Sequence, residues 1–239
     1  MEKKEFLEAL KELRKEPKKK FTQSIDFQVR LQNIDLKKNE NKVDIFVSLP
    51  NTIGRKITVC GLVGGALYND AKSFCDKVIA QEEFKNIAGN GKELKKLARA
   101  YDYFIAQADI MGPIATTFGR FLGPKGRMPN PKAGAIVPPK GTTKPIVEKL
   151  QKTIRLIAKN NEMAVRSPIG KENMTDEEIV DNIAIAYTAL VNALPQHEQN
   201  VKSVQLKMTM SKPIVVGGKK WVSLKHMLVI KRNRLFKIY

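Results

Sequence analysis

Apolar residues recur along this chain with different spacings, and the order in which the spacing changes outlines the fold. Near the start, Phe6, Leu7, Leu10 and Leu13 fall on one face among Glu and Lys, predicting an amphipathic helix over residues 1–16 that Pro17 ends. From Phe21 the period becomes two. Ile25, Phe27, Val29 and Leu31 alternate with Ser24, Asp26, Gln28 and Arg30, the pattern of a half-buried strand. A polar turn at 33–41 leads to a second alternating strand at Val43, Ile45, Val47 and Leu49, stopped by Pro50 and Asn51.

At about residue 52 the style shifts. Residues 57–63 are continuously apolar and end at Gly64 and Gly65, as expected of a strand buried on both faces. Helical spacing follows at Ala71, Phe74, Cys75 and Val78, then again at Leu94, Leu97 and Ala98, and residues 103–108 read as another short apolar strand. Residues 119–131, GRFLGPKGRMPNP, are too rich in Gly and Pro for a regular helix or strand and predict a special basic loop. Pro145 then opens a helix with Ile146, Val147, Leu150 and Ile154 at helical intervals. Strand and helix alternating in this way imply a parallel sheet in a small open α/β unit.

After about residue 152 the alternating style returns. Residues 163–165 read as a strand, followed by RSPIGK at 166–171. Thr175 and Glu178 form a capping-box signature before an apolar stripe at Ile179, Ile183, Tyr187, Leu190 and Leu194, and Pro195 closes that helix. A last strand places Val204, Leu206, Met208 and Met210 on one face and Ser203, Gln205, Lys207 and Thr209 on the other. Neither outer segment is large enough to close a core alone. The expected architecture is therefore mixed α+β and α/β: one split α+β domain from residues 1–52 and 152–212, with an α/β domain of residues 53–151 inserted.

Charge narrows the partner. The chain carries 43 Lys and Arg against 24 Asp and Glu, a net charge of +19 and a pI near 9.9, within an otherwise globular composition of 42% hydrophobic and 28% charged residues. Such a field favours polyanions, above all nucleic acid. No apolar run approaches the ~20 residues of a membrane helix, and no secretory leader opens the chain, so a cytoplasmic protein without a membrane partner is expected. Cys60 and Cys75 form no metal-ligand cluster and read as core thiols in a reducing compartment.

Catalytic signals are weak. Gly61, Gly64 and Gly65 match neither a dinucleotide-binding nor a P-loop spacing, and His197 and His226 lie in no catalytic motif. Asp102 and Asp109 bracket a strand and are candidates to pair across a site, although terminal aspartates more often cap helices or strand ends. No enzyme activity, metal or cofactor is expected. RNA chemistry has more support: Lys18, Lys19 and Lys20 lead into Phe21, joining cations to an aromatic at a strand entry. Phe21 also shares the phase of the buried Ile25 and Phe27, so core and RNA contact stand equally open for it. Lys207 and Thr209 project from one strand face, which is either a solvated sheet face or a contact to phosphate and 2′-hydroxyl groups.

Taken together, FTQS at 21–24, SLP at 48–50, the Gly/Pro stretch at 119–131, SPIGK at 167–171, MTDEEIVDNI at 174–183 and KMTM at 207–210 resemble the large-subunit ribosomal protein family called L-one, in its archaeal form. The resemblance runs from about residue 5 to 213. It implies a Rossmann-like inserted domain, and binding to a stalk region of large-subunit rRNA near the tRNA exit site. It further implies assistance to the release of deacylated E-site tRNA, other ribosomal proteins as neighbours, and repression of translation from the chain's own mRNA. A regulator acting mainly on mRNA away from the ribosome is the competing expectation. By position in the family's pattern, the rRNA contacts fall on Phe21, Arg166, Lys171, Ser203, Thr209 and Met210, with Lys20, Lys207 and Ser211 added as neighbouring candidates and Lys125 and Arg127 as secondary contacts. Ser211 departs from the family, which has Gly after Thr-Met. Residues 213–239 run beyond the family's usual end with seven Lys or Arg and no acid, together with Trp221 and His226. They read either as an extra rRNA-binding arm or as a solvated tail.

Overall fold

The computed structural model describes residues 3–17, 19–35, 42–139, 141–158 and 162–217. The expectations for Lys18, part of the polar turn at 33–41, and the tail with Trp221 and His226 lie outside the described residues.

Both ends of the chain build one antiparallel sheet. Its strands are β1 (Ser24–Leu31), β8 (Ala164–Lys171), β9 (Val201–Met208) and β10 (Ile214–Val216), in the order β10-β9-β1-β8. Ile25, Phe27 and Val29 of β1 point to one face, which α1 (Lys3–Leu13) and α7 (Asp176–Ala193) cover with Phe6, Leu10, Leu13, Ile179, Ile183 and Leu190. The capping box starts α7: the Thr175 hydroxyl accepts from the Glu178 amide at 3.4 Å, and the Glu178 carboxylate accepts from the Thr175 amide at 3.1 Å.

A two-stranded antiparallel ribbon, β2 (Asp44–Ser48) with β7 (Thr153–Ile157), leads out of this sheet and back. Between its strands lies a parallel sheet in the order β4-β3-β5-β6, from β3 (Val59–Val63), β4 (Lys77–Ala80), β5 (Tyr103–Gln107) and β6 (Ile136–Val137). Every residue of β3 is buried. Cys60 and Leu62 pack with α3 (Phe84–Ala88), α4 (Gly91–Ala100) and α5 (Met111–Leu122) on one face. Val59 and Val63 pack with α2 (Tyr68–Phe74) and α6 (Lys144–Gln151) on the other. The mixed architecture expected from the spacing is thus present.

Several local expectations are corrected. Val78 and Ile154 extend the helical spacing of their neighbours but lie in β4 and β7, because each preceding helix stops at 74 or 151 and a β-branched side chain suits the strand that follows. The Gly/Pro stretch is not loop throughout: residues 119–122 form the last turn of α5, and the loop proper starts at Gly123. Gly119 is tolerated there at the usual helical cost of about 1 kcal/mol. Residues 167–170, a turn in the family's pattern, lie within β8, which runs on to Lys171 through an irregularity opposite Ile25 and Asp26. Pro168 is accommodated because β8 closes that side of the sheet and needs no amide donor outward. Met210 does not share the buried face of β9; the strand ends at Met208 and Met210 is 64% exposed. Within the segment from 213, β10 pairs with β9 and buries Val216.

A candidate RNA interface at one end of the antiparallel sheet

The start of β1, the end of β8 and the end of β9 converge. Ser24 lies opposite Lys171, and Ile25 opposite Met208. Beyond them the chain makes a tight turn in which the Ser211 amide donates to the Met208 carbonyl at 3.2 Å. That turn is fastened to β1: the Thr209 amide donates to the Ser24 carbonyl at 3.1 Å, and the Thr209 hydroxyl accepts from the Ser24 amide at 3.2 Å. Gln23 completes the lacing. It is 2% exposed, its Oε1 accepts from the Met210 amide at 3.1 Å, and its carbonyl accepts from the Glu172 amide at 2.9 Å. Gln23 was missed as a site residue. Its signal was present: a polar residue in the odd-numbered phase that otherwise holds buried Ile25 and Phe27.

On this rim stand two large apolar side chains in solvent, Phe21 at 50% and Met210 at 64% exposure. Phe21 is not a core residue, because β1 begins only at Ser24 and Phe21 precedes the sheet. Lys20 is exposed beside it and Lys171 is half-buried at the end of β8. Ser211 turns inward, its Oγ accepting from the Met208 amide at 2.9 Å, so its hydroxyl serves the turn.

The other expected residues are spread along the open face of the sheet. Lys207 faces Asp26 across the strands, Arg166 lies opposite Gln28, and Ser203 lies opposite Arg30. At about 3.3 Å per residue, Ser203 sits roughly 20 Å from the rim, so it does not join that cluster. Burial raises the Asp26 pKa above the ordinary carboxylate range, opposed by the nearby Lys207 ammonium. Arg166 meets Glu162 only at 3.9 Å with both side chains more than half exposed, a pair of little energetic weight.

A cleft of about 730 Å³ separates this face from the inserted sheet. Ser24, Asp26, Lys171 and Thr209 line one side, and Lys125 and Gly126 the other. Arg155 closes its floor, donating to both carboxylate oxygens of Asp44 at 2.7 Å and to the Gly126 carbonyl at 2.7 Å. The two loop cations behave differently. Lys125 is exposed, whereas Arg127 donates to the Ala98, Arg99 and Tyr101 carbonyls at the end of α4.

The catalytic candidates do not assemble. Asp102 and Asp109 lie beyond opposite ends of the five-residue β5, each with its own partner, Asp102 with Arg55 at 2.8 Å and Asp109 with Gln107 at 3.4 Å. Cys60 and Cys75 are free thiols, and burial above all pushes them up to about 12 and about 11, which keeps them protonated and unreactive. Among the described residues no cluster of His, Cys, Asp or Glu could hold a metal, and no helix is long and apolar enough to cross a membrane.

The fold and the rim define a two-part protein that offers cations and exposed apolar side chains at the strand ends of its antiparallel sheet. Residues 13–212 match the model of the Ribosomal protein L1p/L10e family, and the chain belongs to that family. It is 39% identical over 215 residues to the large ribosomal subunit protein uL1 of Pyrococcus abyssi, covering 89% of this chain and 95% of that one. It is 35% identical over 221 residues to the uL1 protein of Methanocaldococcus jannaschii, covering 92% and 98% respectively. The expected resemblance, including its archaeal character, is thereby met.

Proposed function

We propose that this chain is a cytoplasmic constituent of the large ribosomal subunit that binds a stalk region of rRNA near the E site through the rim around Phe21 and Thr209. The observation that carries this is the exposure of Phe21 and Met210 beside Lys20 and Lys171, on strand ends held rigid by the buried Gln23. Exposed apolar and aromatic groups next to cations suit unstacked bases and sugars flanked by phosphates. Lys207, Arg166 and Ser203 would extend the contact along the open sheet face, with Lys125 a peripheral cation across the cleft. Arg127 supports that loop from within. Bound there among other ribosomal proteins, the protein would help move deacylated tRNA out of the E site. The same rim would grip a similarly folded element in the chain's own mRNA and repress its translation.

The test is the affinity of Phe21→Ala and Thr209→Ala for a stalk rRNA fragment, with far-UV circular dichroism to confirm the fold. Loss of a base-stacking side chain is worth about 1–3 kcal/mol, a weakening of roughly five- to 150-fold. Binding unchanged in both variants would refute the assignment of the rim. Crosslinks from Phe21 or Met210 to RNA in intact ribosomes would identify the bound strand.

A further inference from the structure

Residues 91–100, GKELKKLARA, place Lys92, Lys95, Lys96 and Arg99 at intervals of three, four and seven, which on α4 is a single face. Leu94, Leu97 and Ala98 occupy the opposite face and are buried. All four cations are exposed, and among the described residues none has a carboxylate partner, whereas Arg14, Arg55, Lys56 and Arg155 each have one. Glu93, on the same helix, is engaged with the Asn90 side chain. Like charges three and four residues apart repel, and Lys92 lies at the helix end where the backbone dipole disfavours a cation. The dipole favours Arg99 at the other end, but the face formed by these four cations carries no acid of its own, unlike an ordinary solvated face.

The row continues beyond the helix. Arg127 donates to the Ala98 and Arg99 carbonyls at 3.1 and 3.3 Å, bolting the Gly/Pro loop to the end of α4. This sets Lys125 near Arg99, whose charge, after partial loss of hydration, helps hold the lysine below its ordinary range. A hollow of about 410 Å³ runs along Lys92, Lys95, Lys96 and Arg99. From Lys92 to Arg99 the helix rises about 10 Å. One strand of a duplex presents a phosphate about every 3 Å of axis, so the row spans roughly three phosphates.

We propose that α4, extended by Lys125, is a second RNA-docking face that takes the sugar–phosphate backbone of a strand other than the one held at the Phe21–Thr209 rim. The row consists of cations alone, and the deep, narrow major groove of an RNA duplex withholds base edges from side chains, so its contacts fall on phosphates. Protein interfaces are depleted in Lys and enriched in aromatic residues, which makes an acidic protein a poorer fit. The inference shares the RNA partner class with the proposed function but rests on different residues.

The full chain and its K92Q/K95Q/K96Q/R99Q variant are titrated with an RNA duplex of arbitrary sequence, with a stalk rRNA fragment and with poly-glutamate, each over a range of salt. With about 0.9 in log–log salt slope per phosphate contact, the variant's slope for the duplex should flatten by about 3, with affinity at low salt down at least about tenfold. Its affinity for the stalk fragment should stay within about threefold, since that fragment is held at the rim and α4 takes a different strand. The K95Q/R99Q double variant should lose about half the slope change. The thermal midpoint should not fall, because repulsion is relieved. An unchanged duplex slope overturns the proposal, as does loss of poly-glutamate binding with duplex binding intact. Phe21→Ala separates the two faces: it should keep the duplex slope even where stalk-fragment affinity is lost, and failure of the rim leaves this measurement intact.

Discussion

Replacing Arg155 with alanine tests what joins the two halves of the molecule. Arg155 projects from β7, pairs with Asp44 of β2 through two 2.7 Å hydrogen bonds, and reaches the Gly126 carbonyl of the inserted unit through a third. Its guanidinium also lies 5.2 Å from the centre of the Phe46 ring. The ion-paired side chains are 26% and 38% exposed, so water screens part of their attraction. Truncating a fully buried pair costs about 3–5 kcal/mol, which partial exposure reduces here to about 1–2. The Gly126 hydrogen bond adds about 1 kcal/mol and the ring contact about 0.5, for a total near 3 kcal/mol. Urea unfolding of Arg155→Ala against the parent chain measures this, and a double-mutant cycle with Asp44→Asn isolates the pair at about 1–2 kcal/mol. A loss below about 0.5 kcal/mol would refute the reasoning, because it would place the latch among inconsequential surface pairs.

Gly126 has φ near +64°, and a Cβ there would lie 2.4 Å from Arg155 Nη1. Gly126→Ala should therefore cost about 1–2 kcal/mol from the left-handed backbone plus a clash, and in the Arg155→Ala background only the backbone cost should remain in the unfolding curve. Burial first of all raises the Asp26 pKa, with Lys207 opposing, so ionising Asp26 disfavours the folded state. Its stabilising contribution is present below the unfolded carboxylate value and lost as pH rises through the folded one. Asp26→Asn should thus gain stability over the parent chain as pH rises from acid to neutral, and should bind the stalk fragment more tightly at neutral pH, in urea titrations and filter binding respectively. Thr175→Ala removes the capping box of α7 and should cost about 1 kcal/mol in thermal unfolding, with no effect on RNA affinity.

Where one face is buried and the other wet, period and burial coincide, and β1, α1, α4 and α7 were legible for that reason. β4 was not, because Val78 fits a helical count as well as a strand, and only its parallel pairing with Gly61 decides. The last turn of α5 was hidden by Gly119, whose propensity argues for loop while Phe118 and Leu122 bury helically on either side. At the rim, the charge run and Phe21 were visible, but Phe21's exposure depends on where β1 begins. The lacing by Gln23 depends on strand ends far apart in sequence. Arg127 carried a misleading signal: a cation in a basic loop suggests an external anion, yet its partners are the Ala98, Arg99 and Tyr101 carbonyls at and just past the end of α4 and the Asp102 carboxylate at 3.8 Å, tertiary contacts that spacing cannot announce.

The central strand of the antiparallel sheet has one further consequence, for the order of assembly during synthesis. Ser24 meets Thr209 across 185 positions of chain, whereas every strand of the parallel sheet lies within residues 59–137. At about 5–20 residues per second, β1 waits on the order of ten seconds or more for its neighbours to be made. The inserted unit has by then everything it needs to fold, and folding brings the two strands of the ribbon to one place, shortening the loop that β8 and β9 must close. A strand among the first made is thus paired late, and its apolar Ile25, Phe27 and Val29 have α1 and the early residues Ile34, Val43, Val47 and Leu49 of the same core as shelter until β8, α7 and β9 follow.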